Sequence, residues 1–197
     1  MRKLGLLLLL VAVMFVYSND AFAGGIQKGA SEISAFGSLS RMTTKVDDYK
    51  DTTHMNTGML GYSYFLTDQI SAGANLLLIG IKSKDSEGST SSAGITGIDL
   101  NAKYHFFSKG QTVVPYLGLQ GGLMRMSLKS DGDSLSGRAP SYGGMGGVKF
   151  FITENIAFNT ELNYRKYTVD FTFGAVEATS KINDVKLLFG LSYYFGK

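Results

Sequence analysis

Apolar residues recur at every second position along most of this chain, and no stretch after residue 23 keeps helical spacing. A period of two marks a strand with one face in each of two environments. The pattern predicts eight strands, over 30–42, 54–65, 69–81, 94–107, 112–127, 141–152, 156–169 and 182–195. The last is the cleanest. Val185, Leu187, Phe189, Leu191, Tyr193 and Phe195 share one face, with Lys186, Leu188, Gly190, Ser192 and Tyr194 between them. Abundant glycine, 25 residues against 2 prolines, with 12% aromatics, suits a pleated chain better than a helical one.

The connections differ by side. Polar stretches follow the odd strands: "TTKVDDYKDTT" (43–53), "KSKDSEGSTSSAG" (82–94), "KSDGDSLSGRAP" (129–140) and "DFTFGAVEATSK" (170–181). They read as four loops. Short turns follow the even strands: "LTDQ" (66–69), "SKGQ" (108–111) and "TEN" (153–155). An even number of antiparallel strands, with tight turns at one end and long connections at the other, is the pattern of a transmembrane barrel.

The mid-strand charges choose between a soluble and a membrane barrel. Glu32, Asp99, Lys103, Lys149, Glu161, Arg165 and Lys186 interrupt otherwise strand-like segments. A basic residue facing hydrocarbon near the midplane costs about 2–4 kcal/mol. Turned inward, these charges and His105 form a lumen network, with pairs such as Glu161 with Lys103 or Arg165. The outward faces are then apolar, as in Ile98, Leu100, Ala102, Tyr104 and Phe106. The third strand is less clean, because Leu77 and Ile79 fall on its polar face. Aromatics gather near the short turns and the C-terminus. Tyr62, Tyr64, Phe106, Tyr116, Phe150, Phe158, Tyr193 and Phe195 form the expected interfacial girdle. The eighth strand must pair with the first, since lipid leaves an edge strand no partner. Eight strands enclose a bore filled by its own side chains, so a plugged interior is expected.

At the N-terminus, Arg2 and Lys3 precede an apolar run from Leu4 to Tyr17, and Ala21-Phe22-Ala23 offers a cleavage site. This is a signal peptide over 1–23, whose apolar run is too short to span a membrane as a helix, and it leaves a barrel domain over 24–197. With no cysteine, neither a lipoprotein anchor nor a disulfide is available.

Together with this leader and the uneven connections, "PYLGLQGG" (115–122), "GGMGGVKFFITENIAFNTELNYR" (143–165) and the aromatic last strand carry a family resemblance. The chain resembles the small eight-stranded outer-membrane barrels of Gram-negative bacteria, of the opacity-protein type. The resemblance covers residues 26–197. It implies an all-β, eight-stranded antiparallel up-and-down transmembrane barrel in the outer membrane. It also implies surroundings of outer-membrane lipid and lipopolysaccharide, and assembly through the C-terminal strand by the barrel-assembly machinery. The family's last strand usually ends on its terminal aromatic, whereas here Gly196 and Lys197 follow Phe195.

Sites of chemistry are scarce. His105 lies three residues before Ser108 and His54 has no nucleophile beside it, so no Ser–His arrangement is visible and no enzyme is expected. "SDGDSLSG" (130–137) lacks the distal glutamate of a calcium loop. "GGMGG" (143–147) lacks the lysine of a phosphate loop, and glycine there lets large neighbours pack. No cofactor and no metal are expected. A formal charge of only +3 implies no nucleic-acid partner. The favoured role is structural or surface interaction through four extracellular loops and an extracellular ligand. The alternatives are a narrow pore or carrier for ions or small apolar solutes and, more remotely, a soluble lipocalin-like binding barrel.

Overall fold

A computed structural model describes residues 26–46, 49–84, 90–106, 111–130, 133–173 and 176–196. The leader and most of the "SKGQ" turn lie outside them. Eight strands follow in chain order: β1 Ser31–Val46, β2 Tyr49–Phe65, β3 Ile70–Lys84, β4 Thr90–His105, β5 Val113–Ser130, β6 Asp133–Phe151, β7 Ile156–Phe173 and β8 Val176–Phe195. Each pairs antiparallel with the next and β8 closes onto β1, giving a closed barrel.

The strands are longer than alternation alone suggests. The polar stretches expected as loops are largely ladder: Val46 pairs with Tyr49, Lys84 with Thr90, Ser130 with Asp133 and Phe173 with Val176. The reason is physical. The ladder is made by backbone groups, so pairing can continue past the point where the apolar alternation of the sequence ends.

At the other end, two turns are built alike. In "LTDQI" the Thr67 Oγ1 accepts from the Gln69 and Ile70 amides at 3.2 and 2.9 Å. In "ITENI" the Thr153 Oγ1 accepts from the Asn155 and Ile156 amides at 3.3 and 3.1 Å. Such local side-chain bonds let a threonine substitute for the missing ladder at a turn. Ahead of β1, Gly29 adopts φ 88°, a conformation that costs glycine little. Its amide donates to the Phe65 carbonyl at 2.9 Å. The bend tucks Ile26 under the barrel, fully buried.

Ladder heights differ around the wall. β6 and β7 pair from Phe151↔Ala157 only up to Ser141↔Tyr167, and β8 and β1 only from Ser31↔Phe195 to Gly37↔Phe189. Above those points the β7–β8 hairpin is carried by its own ladder, which runs on to Phe173↔Val176.

The two faces separate as lipid and lumen require. Outward residues include Leu100, Leu119 and Leu123, each at least 70% exposed, together with Leu162, Val185 and Leu191. Inward residues are stacked in layers. At the short-turn end Ile26, Ala30, Phe65, Val114, Phe151, Ala157 and Tyr194 form an apolar plug. Towards the long-hairpin end Phe36, Met59, Leu77, Ile79, Ile95, Met124, Ala139, Tyr167 and Leu188 form a second. Leu77 and Ile79, which spoil the alternation of β3, are thus lumen residues that complete this layer. Charged and amide side chains lie between the two.

Candidate functional site

The middle layer is built by inward positions that the strand period places on facing walls. Glu32 on β1 and Lys149 on β6, both buried, form an ion pair across the lumen. The Ser192 hydroxyl donates to the same Glu32 oxygen at 2.5 Å, and Lys149 Nζ donates to the Tyr194 hydroxyl at 2.7 Å. The Lys149 ammonium also stands 5.4 Å from the Tyr116 ring centroid and 5.2 Å from that of Tyr194. Lys103 on β4 approaches the Tyr116 ring at 5.5 Å. Aromatic faces stabilise such cations where water is scarce.

A second cluster lies one layer higher. Arg165 Nη1 is 2.5 Å from Asp99 Oδ2, with both side chains buried. The same guanidinium donates to Gln120 Oε1 at 2.9 Å and Asn163 Oδ1 at 3.0 Å, and Ser141 donates to Asp99 at 3.2 Å. Glu161 accepts from the Tyr116 hydroxyl at 2.8 Å and from Asn163 Nδ2 at 2.9 Å. Tyr116 therefore links the two clusters. Buried charges are tolerated when paired and hydrogen-bonded in this way.

Several expectations need correction. Glu161 pairs with neither Lys103 nor Arg165; Arg165 takes Asp99, and Glu161 is satisfied by a phenol and an amide. Lys186 faces inward by period but lies on the hairpin side of Leu188, where it pairs with Asp184 at 2.5 Å, outside the central layer. Tyr116 does not belong to an outward girdle. It is 1% exposed and points into the lumen, as the alternation of β5 itself requires. Tyr62, Tyr64, Phe106, Phe158, Tyr193 and Phe195 do point outward near the short turns, and Phe150 is half-buried beside Phe158.

His105 is fully buried, its Nε2 3.0 Å from the Ser71 hydroxyl, with its ring against Phe65 and Tyr116. Ser71 sits across the β3–β4 ladder rather than nearby in sequence, so local spacing could not reveal it. The pair lacks the third, orienting group of a nucleophilic triad, and both side chains are closed in. Among the described residues no group of His, Asp or Glu could hold a metal. The uncharged partners Gln120, Ser141, Asn163 and Ser192 were missed in the sequence. Their inward period was the available signal.

An apolar outer wall, a lumen holding the charges and a closed eight-strand ladder define an outer-membrane β-barrel protein, resident in the bacterial outer membrane. The chain belongs to the outer membrane protein beta-barrel domain family, whose model matches residues 6–195. Solved structures share the fold at low identity. Neisserial surface protein A is 16% identical, with TM-score 0.55 over 85% of this chain and 98% of its own. Ail, the attachment invasion locus protein of Yersinia pestis, is 16% identical, with TM-score 0.52 over 86% and 100%. OprG from Pseudomonas aeruginosa is 16% identical, with TM-score 0.51 over 88% and 99%. No curated protein sequence matches the chain.

Proposed function

We propose that this protein is a closed, rigid scaffold of the outer membrane that acts through the ends of its long hairpins, held outside the cell. The observation that carries this reading is the sandwiching of the charged layer between two apolar plugs. An ion crossing the barrel would meet Phe65, Val114 and Tyr194 at one end and Phe36, Met59 and Leu77 at the other. Binding functions concentrate on connections held by rigid frames. A role in catalysis is not part of this reading, since the Ser71–His105 pair has neither an orienting acid nor access to substrate. Residues 1–23 serve as the export leader. The girdle aromatics anchor the barrel at the periplasmic interface, and the strand ending at Phe195 is the segment the assembly machinery engages.

The test is conductance of the purified barrel in planar bilayers, with an epitope inserted between Ser130 and Asp133 probed on intact cells. No steady current and a labelled epitope are expected. A steady ion current would overturn the closed scaffold, and an epitope hidden until the cells are broken would overturn the orientation.

One observation favours a second reading, as a carrier of small apolar solutes. The apolar layer containing Phe36 and Leu188 lies beside the point where the β1–β8 ladder stops. Proteoliposomes that take up a lipophilic fluorophore no faster than protein-free vesicles would remove it.

A further inference from the structure

The outer wall of the barrel is not uniformly smooth. Across β3, β4, β5 and β6 it holds a groove of about 670 Å³, walled by Leu76, Ile98, Leu100 and Leu123 and rimmed by Arg125 and Arg138. Gly121, on the outward face of β5 between Leu119 and Leu123, leaves space in this wall. An added Cβ there would meet only the Ser141 carbonyl, at 3.5 Å.

The two arginines are register partners, Arg125↔Arg138, on the same exposed face. Like charges set directly opposite each other destabilise a ladder. Among the described residues, no ion pair or hydrogen bond joins either guanidinium to a protein group. Two adjacent guanidinium groups at one depth concentrate positive charge that a phosphate from the membrane surface would neutralise. Their height indicates where it comes from. On β5 the outward face runs Leu117, Leu119, Gly121, Leu123 and then turns polar at Arg125, and on β4 it turns at Thr96, the register partner of Arg125. This is the border between acyl chains and headgroups on the long-hairpin side. Lys166 stands on the neighbouring β7, 6.0 Å from the Tyr142 ring, and adds a further outward cation. Paired guanidinium forks match phosphate oxygens bidentately.

We propose that this groove holds one lipid A molecule of the outer leaflet. An acyl chain lies along Ile98, Leu100 and Leu123, and a sugar-linked phosphate sits between Arg125 and Arg138. The occupant has to combine a fatty chain with dense negative charge at one depth, which lipid A does with two phosphates on adjoining sugars. The assignment rests on the long hairpins facing outward, as proposed above.

The test is lipid retention by the whole barrel in phosphatidylcholine nanodiscs titrated with lipid A and read by native mass spectrometry. One retained lipid A is expected for the natural protein. The Arg125→Ala/Arg138→Ala variant should bind about tenfold more weakly or worse, because charge-assisted bonds are lost. Gly121→Leu should show a comparable loss with both arginines intact, because it fills the groove. Lipid A stripped of its phosphates should bind the natural protein no better than intact lipid A binds the double variant. Heat-modifiable gel migration checks that each variant is closed, and Arg125→Gln/Arg138→Gln replaces an alanine variant that is not. Unchanged binding by closed variants would overturn the site, as would equal binding of the stripped lipid. Phosphatidylglycerol retained as well as lipid A would overturn the choice of lipid. Nanodiscs present lipid A to both faces, so failure here leaves the orientation standing, and a hidden epitope leaves this binding result standing.

Discussion

At single residues, the lumen contains charges whose partners are irreplaceable one at a time. Lys149→Met leaves the Glu32 carboxylate buried without its cation, and breaking a buried pair from one side costs about 3–5 kcal/mol. Removing both charges, with Glu32→Gln and Lys149→Met together, should recover much of that loss. Urea unfolding in lipid vesicles measures the cycle, and additive losses would show that the two groups act independently. Space is as tightly set as charge. An added Cβ at Gly147 would lie 2.7 Å from both Cζ and the hydroxyl of its register partner Tyr116. Gly147→Leu should therefore displace Tyr116 from Glu161 and lower the temperature at which the barrel loses its compact gel migration. Close packing requires glycine at two positions of "GGMGG", Gly147 and Gly143, the latter because an added Cβ would collide with the Tyr164 carbonyl oxygen.

Among the elements, the matching turns and the unequal ladders give separate expectations. Thr67→Ala and Thr153→Ala should each cost about 1 kcal/mol, the net worth of a hydrogen bond, and the two losses should add because the turns are distant and share no partner. Amide exchange should be faster along β1 beyond Gly37 and along β8 before Phe189 than lower in the same strands, because there each strand has a ladder on one side only. Uniform protection up both strands would contradict the short β1–β8 ladder. These elements were unevenly legible in the sequence. Strand number, order and inward period could be read from the alternation, because lipid outside and polar groups inside impose it residue by residue. Strand length could not, because residues 49–53 and 133–136 are paired in the ladder yet carry no apolar alternation in the sequence. Nor could the ion pairs. Whether Arg165 meets Asp99, or Glu161 meets Lys103, depends on the stagger accumulated around the closed wall, which no single strand records.

For the whole molecule, the bilayer sets one rule and the lumen another. Leu100→Arg should cost about 2–4 kcal/mol in vesicles by placing a cation in hydrocarbon. Leu77, though also leucine on an adjoining strand, faces the upper plug, and Leu77→Ala should cost about 2–5 kcal/mol through a cavity instead. A cavity can be refilled: a small apolar solute such as benzene should restore part of the loss at Leu77 and none at Leu100. The layered lumen itself was only half visible in the sequence. Leu77 and Ile79 look like errors of pattern until the third dimension gathers them with Phe36, Met59 and Leu188.

The hairpin of β7 and β8 has a practical corollary. Because neither flanking ladder continues beside its upper half, lengthening it disturbs no other stave. A foreign peptide grafted between Phe173 and Val176 would ride on a two-stranded mast, displayed above the membrane while the cylinder below stays shut.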